Sequence, residues 1–301
     1  MKRTYGPYTV ETSNEDKILY SDAGVSKGDV IDYYEGVYDR MQAHLRDRCL
    51  TLERYPDGID EDHFYQQKRG DHFPDFVGSQ RLKTAGGKNT VDHIIAGNRA
   101  ALVYLADQAA LTLHGWLSVA SEADKPDRVV FDLDPSKDDD FDTVVLCARI
   151  LREQLADSGL EPYVMTTGSR GLHVLAPLDQ TRSFDEVRKF AKSVATEVAE
   201  RHPDRITTEQ RKKARKDRVY IDINRNAYGQ TSVLPYSLRA RPGAPAATPL
   251  EWDELDRGDL TPQRFGLSSI ARRLGQKADP FDGFAKHRRR PKSLEAIDDS
   301  T

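Results

Sequence analysis

The chain has 301 residues, 31% of them charged, and a formal net charge of −4. This length suits one large domain or two ordinary ones, and the mean hydropathy of −0.69 indicates a heavily solvated surface. No apolar run approaches the roughly 20 residues that span a membrane, and the first residues match no signal-peptide core, so we expect no membrane association.

Cysteine content and the distribution of charge narrow the protein class further. Cys49 and Cys147 are too few for a disulfide framework or a zinc cluster, which fits a reducing cytoplasm. The net charge argues against an evenly basic coat, but acids cluster at 138–140 and basic residues at 211–216 and 288–290. Such blocks are usually solvated faces, although the block at 211–216 directly precedes an acid-bearing strand and is a better candidate for phosphate contact.

The first 125 residues are predicted to be a mixture of helix and loop. The spacing of apolar residues predicts helices over 27–45 and 98–114 and a strand over 50–55. Residues 62–76 are dense in aromatic and histidine side chains.

The middle of the chain alternates strand and helix patterns. Strands are predicted at 129–134, 162–165, 172–176 and 218–223, and helices at 141–158 and after the capping box that opens at Ser183. This β-α-β-β-α-β order is the split βαβ arrangement of ferredoxin-like and RNA-recognition-motif-like folds. We therefore expect an α+β fold whose first strand lies between the third and the fourth, with helices on one face.

Acidic residues lie inside two of these strands. Asp132 and Asp134 are two positions apart and project from the same face. The topology places Asp222 on one neighbouring strand and His173 on the other. Neighbouring carboxylates repel unless cations bind, and such sets hold Mg²⁺ or Mn²⁺ for phosphoryl transfer. The alternative, aspartates that cap a following helix, does not account for this convergence.

A glycine turn joins the second and third strands beside these acids. Glycines permit tight geometry, and N–H groups, hydroxyls and Arg170 in the turn at 167–171 suit phosphate oxygens. Glycine hairpins are common, and a strand histidine such as His173 is usually structural, so this interpretation depends on the adjacent acids. Arg239 suits a phosphate or base contact, or an ordinary surface position.

The last part of the chain is predicted to be peripheral. A proline-rich connector begins at 242, a helix is predicted around 265–274, and the basic end is expected to be disordered. We expect one domain over 1–290, with an N-terminal portion (1–125), a catalytic sheet unit (126–241) and a helical extension (242–290), followed by a disordered tail at 291–301.

Several motifs together resemble the polymerase domain of bacterial DNA ligase D and its stand-alone relatives, the primase-polymerases of the archaeo-eukaryotic primase superfamily. The similarity covers about 14–254, and its motifs are DKILY at 16–20, RYPDG at 54–58, HFP at 72–74, FDLDP at 131–135, GSRGLH at 168–173 and PYSLR at 235–239. The resemblance implies a primase-polymerase fold and a template-directed nucleotidyltransferase that extends 3′ ends and fills short gaps at DNA breaks, in end joining or excision repair.

The resemblance also implies roles for particular residues. Asp132, Asp134 and Asp222 would be the catalytic ligands of two Mn²⁺ or Mg²⁺ ions in a two-metal transfer from an NTP or dNTP. The incoming nucleotide would contact Arg54, His114, Thr167, Ser169, Arg170, Gly171, His173, Arg215 and Arg239. The downstream 5′-phosphate of a gap would contact Asn14, Lys17 and Lys27, and the template or duplex end would stack on Phe64 and Tyr65, residues that otherwise read as core aromatics.

The expected partners are DNA with a 5′-phosphate, nucleoside triphosphates, a Ku-like end-binding protein and a separate DNA ligase, since no ligase or phosphoesterase module is recognised in the sequence. A monomer in the cytoplasm, at the nucleoid, is expected. Two positions depart from the family pattern: Arg225 stands where many relatives have glutamine, which affects nucleotide or sugar selection, and Glu53 stands where some relatives carry a basic residue.

Three alternatives remain open from the sequence. The same active site would serve a primase that starts strands de novo. A catalytically inert module that binds DNA ends would be expected to lack an acid or the glycine turn. A metal-dependent nuclease would use a similar set of carboxylates.

Overall fold

The computed structural model describes residues 1–84, 86–87, 89–137 and 141–295. Within these residues the strands are β1 Lys2–Tyr5, β2 Tyr8–Glu11, β3 Ile18–Tyr20, β4 Val25–Ser26, β5 Cys49–Arg54, β6 Phe64–Gln66, β7 Gly78–Lys83, β8 Thr90–Ile95, β9 Ala110–Trp116, β10 Arg128–Asp134, β11 Tyr163–Thr166, β12 Leu172–Pro177, β13 Ile206–Thr207, β14 Val219–Asp222, β15 Thr231–Val233 and β16 Thr248–Leu250. The helices are α1 Lys27–Leu45, α2 Arg99–Asp107, α3 Phe141–Asp157, α4 Phe184–Arg201, α5 Lys212–Arg215, α6 Leu267–Gln276 and α7 Lys292–Glu295.

The chain forms two compact units and passes between them more than once. Unit 1 comprises residues 1–121, 231–248 and 265–277, and unit 2 comprises residues 122–230, 249–264 and 278–301. The expected single domain over 1–290 stays a prediction.

Unit 1 is built on a sheet of order β15-β9-β5-β8-β7, with β6 paired to β5. Helix α1 begins at Ser26, which accepts a hydrogen bond from the Asp29 N–H while the Asp29 side chain accepts one from the Ser26 N–H. Helices α1 and α2 pack together and against β9. The predictions of a helix over 27–45 and of a strand near 50–55 are confirmed.

The prediction of one helix over 98–114 is wrong. Helix α2 ends at Asp107, Ala109 takes a positive φ of 55°, and strand β9 begins at Ala110. Every residue of β9 except His114 is buried, so its sequence lacks the alternation that marks a half-exposed strand. Strands β7 and β8 were also not predicted. In β7 (GSQRLK) no residue is fully buried, so the strand lacks an apolar pattern.

Unit 2 is built on a sheet of order β13-β14-β10-β12-β11-β16. Strand β10 lies between β12 and β14 and is antiparallel to both, as the β-α-β-β-α-β interpretation predicted. The edge strands β13 and β16, of two and three residues, were not predicted because so short a strand carries no periodic signal.

Helices α3 and α4 pack against the unit 2 sheet, where Phe131 and Leu133 are fully buried. The capping box at Ser183 is confirmed, since Ser183 and Glu186 exchange hydrogen bonds at the start of α4. The buried residues of α4 recur at helical spacing: Phe184, Val187, Phe190, Ala191, Val194, Ala195 and Val198. The apolar face of the sheet is therefore covered by helices, as expected.

The predicted helix around 265–274 corresponds to α6. In the expected disordered tail, Lys292–Glu295 forms α7, and residues 296–301 lie outside the described residues, as does the acidic block at 138–140. No helix in the described part of the chain is long and apolar enough to cross a bilayer.

Candidate active site

Three carboxylates meet at the centre of the unit 2 sheet. Asp132 on β10 lies directly opposite Asp222 on β14 and opposite His173 on β12, and Asp134 lies opposite Tyr220. Directly opposed residues in an antiparallel pair project from the same face, with Cβ atoms about 4.5–5.5 Å apart. The strand register therefore brings together the acids that the sequence placed on neighbouring strands.

Basic side chains and a histidine lie beside this acidic cluster at distances longer than an ordinary hydrogen bond. His173 Nε2 lies 3.4 Å from Asp132 Oδ1, Arg225 Nε lies 3.9 Å from Asp132 Oδ2, and Arg170 Nη2 lies 3.7 Å from Asp134 Oδ1. The pKa of Asp134 is raised, first by burial and then by the charge of Asp132, although Arg170 opposes the rise. The site is thus a concentration of negative charge with long ion pairs around it.

Asp222 is oriented by hydrogen bonds to one of its carboxylate oxygens. Its Oδ1 accepts hydrogen bonds from the Asn224 N–H at 2.8 Å, the Asn224 side-chain amide at 2.7 Å and the Tyr220 hydroxyl at 3.2 Å. The side-chain Oδ1 of Asn224 in turn accepts from Arg188 Nη2 at 3.0 Å. The sequence analysis did not identify Tyr220, Asn224 or Arg188 as residues that support Asp222. The bond from residue 224 back to the carboxylate of residue 222 is an Asx turn, so an Asp-x-Asn pattern at a strand end was the available signal.

The residue types suit divalent ions. Carboxylate oxygens are the hard ligands that Mg²⁺ and Mn²⁺ prefer, and the Asp132–Asp222 register places two of them side by side. Among the described residues, however, no three carboxylate, imidazole or thiol groups already form a metal-binding cluster. The donor set and its backbone placement therefore fit cations, while the side chains themselves are paired with protein groups.

The glycine turn lies against strand β10. Thr167 Oγ1 accepts from the N–H groups of Ser169 and Gly171, both at 3.3 Å, and Gly168 has a φ of 64°. A Cβ atom on Gly171 would lie 1.8 Å from the Leu133 carbonyl oxygen. The turn can approach the acid-bearing strand this closely only because position 171 has no side chain.

Arg215 is a buried cation of the same unit. Its guanidinium donates to the carbonyl oxygens of Glu209 and Gln210 at 3.2 and 2.9 Å and lies 4.1 Å from the centre of the Tyr220 ring. Burial, followed by the Asp222 charge, raises the pKa of Tyr220 to about 12, so the hydroxyl keeps its proton for Asp222.

In unit 1, Glu53 is the centre of a polar cluster. The buried carboxylate accepts a hydrogen bond from the Tyr55 hydroxyl at 2.6 Å, and His114 Nε2 lies 3.8 Å away. Burial favours the neutral acid, but His114, the Tyr55 hydroxyl and the Arg239 charge outweigh it and lower the pKa of Glu53 to about 2. Glu53, the departure from the family pattern, therefore pairs with His114 and interacts electrostatically with Arg239, two residues that were expected to bind nucleotide.

Arg54, beside Glu53, is engaged by protein groups. It donates to the Gln108 carbonyl oxygen and to Gln66 Oε1, both at 2.7 Å, and its guanidinium lies over the Phe64 ring at 5.0 Å. Phe64 and its neighbour Tyr65 are 45% and 63% exposed, which is unusual for large aromatic residues. Their exposure favours the stacking role over the core alternative.

The residues expected to hold a 5′-phosphate gather where α1 begins. Lys27 Nζ forms a buried ion pair with Asp107 at 2.8 Å, whereas Lys17 Nζ pairs with the exposed Asp57 at 2.5 Å. Asn14 has a φ of 50°, and its carbonyl oxygen accepts from the Lys17 N–H at 3.1 Å. Lys17 is the more accessible cation of the two, because Lys27 is committed to a buried carboxylate.

The expected site residues thus fall into two groups. Unit 2 contains Asp132, Asp134, Asp222, Thr167, Ser169, Arg170, Gly171, His173 and Arg215, and unit 1 contains Arg54, His114, Arg239, Asn14, Lys17, Lys27, Phe64 and Tyr65.

Comparison with known proteins gives a consistent result. The family model described as "LigD, primase-polymerase domain" matches residues 26–281. The multifunctional non-homologous end joining DNA repair protein LigD of Mycobacterium tuberculosis is 33% identical over 296 residues, which cover 93% of this chain and 39% of that protein. The bifunctional non-homologous end joining protein LigD of Bacillus subtilis is 30% identical, with 90% of this chain and 43% of that protein covered.

A solved structure is similar over almost its whole length. The polymerase domain of Mycobacterium tuberculosis ligase D, in complex with DNA, matches with a TM-score of 0.87 and 30% identity, covering 92% of this chain and 98% of that one. The α+β fold is therefore that of this polymerase domain. The chain spans about two fifths of the length of the curated relatives above.

Proposed function

Because the chain belongs to the LigD primase-polymerase family, we propose that it is a template-directed nucleotidyltransferase that extends 3′ ends and fills short gaps at DNA breaks, in end joining or excision repair. The observation that supports this most strongly is the register that sets Asp132 opposite Asp222, with Asp134 two residues further along the same strand. An inert end-binding module has no need for three carboxylates on one face of a sheet.

We propose that Asp132, Asp134 and Asp222 hold two Mg²⁺ or Mn²⁺ ions, one bound by all three and the other mainly by Asp132 and Asp134. Such ions, when bound, activate the primer 3′-hydroxyl and neutralise the pyrophosphate leaving group. The protein's own part is positioning: Asn224 and Tyr220 orient Asp222 through three hydrogen bonds to one oxygen.

Arg170 supplies positive charge beside the acids, and both Arg170 and His173 are proposed to contact the triphosphate of an NTP or dNTP. Thr167 shapes the turn from which Ser169 and Arg170 project, and Gly171 lets that turn approach β10. Arg215 is proposed to act on the same phosphates. Arg54, His114 and Arg239 lie in unit 1, and their contact with the nucleotide stays a prediction.

Contacts with DNA are proposed for unit 1. Exposed Phe64 and Tyr65 suit stacking on a template base or duplex end, worth about 1–3 kcal/mol per base. Lys17, with Asn14 and Lys27, is proposed to bind the 5′-phosphate of a gap, so gapped DNA lacking that phosphate should bind more weakly at low salt. A Ku-like protein and a DNA ligase are the proposed partners, and the nucleoid is the proposed location.

A labelled primer-template incubated with nucleotides and Mn²⁺ tests the proposal. The wild-type protein should lengthen the primer, and Asp132→Ala combined with Asp134→Ala should abolish lengthening while DNA binding remains. The matched control is Asp142→Ala, an exposed acid in the first turn of α3. Shortening of the primer would indicate a nuclease, binding without extension an inert module, and synthesis on a template without primer a primase.

A further inference from the structure

Unit 2 contains a groove whose lining includes none of the three aspartates. It has a volume of about 440 Å³ and runs between α4 and β14, and Thr208 and Gln210 also line it. One wall is a face of α4 that presents Arg188, Lys189 and Lys192, and the floor includes Ile221 and Ile223. The groove therefore combines basic walls with an apolar base.

The charge of this groove is only weakly compensated. Lys189 and Lys192 are exposed and have no ion-pair partner among the residues that the structure describes, and the lining contains one carboxylate, Asp185, against three cations. Beyond Gln210, which lines the groove, the chain continues with the basic residues Arg211, Lys212 and Lys213, all exposed. A groove of this kind attracts a polyanion.

The arrangement of the cations favours an extended ligand. Arg188 and Lys192 are one helical turn apart on the same face, roughly 5–6 Å between Cβ atoms, so positive charge is spread along the helix. The lining contains no glycine-rich turn that would gather backbone N–H groups around a single phosphate. The spaced cations can contact successive phosphates of a nucleic-acid strand, and the apolar floor can contact its bases.

We propose that this groove binds the phosphate backbone of a single nucleic-acid strand, with Lys189 and Lys192 as phosphate contacts. The inference rests on the proposed function, which brings single-stranded template to the protein, but none of the three aspartates lines the groove. Tyr220 and Asn224 both line the groove and both donate hydrogen bonds to Asp222, and Arg188 donates to Asn224, so the groove adjoins the acidic cluster through these side chains.

The test measures binding of a fluorescein-labelled oligothymidine by anisotropy, with EDTA present and salt varied between about 50 and 200 mM. The groove variant is Lys189→Gln with Lys192→Gln, and Arg188 is left intact because it supports Asn224. The control variant removes the same charge elsewhere in unit 2, at the exposed residues Lys125 and Lys286, each replaced by Gln.

Loss of two phosphate contacts should reduce the slope of log affinity against log salt by about 1.4, since each contact to a single strand contributes about 0.7. Over this fourfold range of salt the wild type should lose about sevenfold more affinity than the groove variant, and the control should behave like the wild type. Equal slopes and affinities for all three proteins would overturn the proposal, as would equal losses in the groove and control variants.

A second titration distinguishes the source of the phosphate. ATP binding, measured by calorimetry in the presence of EDTA, should have the same affinity for the wild type and the groove variant. ATP binding that depends on Lys189 and Lys192, with unchanged strand affinity, would make the groove a mononucleotide site and overturn the strand proposal. Primer extension by the same proteins distinguishes failure of the groove proposal from failure of the proposed function. If the wild type extends a primer and the groove variant keeps the wild-type salt slope, only the groove proposal is rejected. If the wild type neither binds DNA nor extends a primer, the proposed function is rejected as well.

Discussion

Asn224 anchors Asp222 through two hydrogen bonds, from its backbone N–H at 2.8 Å and from its side-chain amide at 2.7 Å, both accepted by Oδ1. The two oxygens of Asp222 are therefore not equivalent, and the carboxylate is oriented before any ligand arrives. Groups that orient a metal ligand typically change metal affinity by about 10–100-fold when removed. Asn224 is thus a positioning residue for the proposed third ligand.

Replacing Asn224 with Ala should raise the Mn²⁺ concentration that gives half-maximal primer extension by about tenfold or more. The rate at saturating Mn²⁺ should recover most of the wild-type value, because the carboxylate itself remains. Asn89→Ala, at an exposed position in unit 1, is the control. A lower rate with an unchanged metal requirement would show that Asn224 does not act through Asp222.

Gly171→Ala should damage both stability and extension. The added methyl group would lie 1.8 Å from the Leu133 carbonyl oxygen, so the turn or strand β10 must shift. Overpacking of this kind costs about 1–3 kcal/mol, measurable by urea unfolding. Gly36→Ala, with open space in the interior of α1, should instead stabilise the protein by about 0.5–1 kcal/mol. An unchanged midpoint for Gly171→Ala would contradict the close approach.

Glu53 should make stability depend on acid pH. Its pKa is lowered in the folded protein from 4.5 to about 2, so the carboxylate stabilises the fold above pH 4.5, and this contribution is lost as the pH falls toward 2. The full shift corresponds to as much as about 3 kcal/mol. Urea unfolding from pH 6 downwards should show a shallower decline for Glu53→Gln than for wild type or for the exposed control Glu61→Gln. Parallel declines in all three would rule out this assignment.

Lys27→Met should destabilise the protein by about 3–5 kcal/mol, because it leaves the buried Asp107 carboxylate without its cation. Lys17→Met removes an exposed ion pair with Asp57 and should cost at most about 1 kcal/mol. Thermal unfolding of the two variants provides the comparison. Similar transition temperatures would mean that Lys27 is not structurally required and is available to DNA.

The acidic cluster was predictable from sequence because strand geometry has a simple period. Alternation put Asp132 and Asp134 on one face, and the β-α-β-β-α-β order determined which strands lie beside β10, so Asp222 and His173 followed from topology. The capping box at Ser183 is equally local, with both partners within three residues.

What sequence reasoning missed depends on long-range contacts or on burial. Strand β9 is buried almost throughout, so no alternation of polar and apolar residues marks where it begins. The predicted helix was therefore extended past the end of α2 into β9. The partners of Lys27 and Arg54, namely Asp107 and Gln108, lie far away in sequence, and no spacing rule connects them. The bond from Arg188 to Asn224 depends on side-chain rotamers across 36 residues.

Asp132 and Asp222 are proposed to act as one catalytic unit. The most direct test is single-turnover nucleotide addition at saturating Mn²⁺ by the Asp132→Asn variant, the Asp222→Asn variant and the double variant. Residues that act as a unit give non-additive losses. We predict that each single change reduces the rate by about a thousandfold or more and that the double variant is hardly slower than either. Losses that multiply in the double variant, or an Asp222→Asn protein that keeps near wild-type rate, would contradict the account.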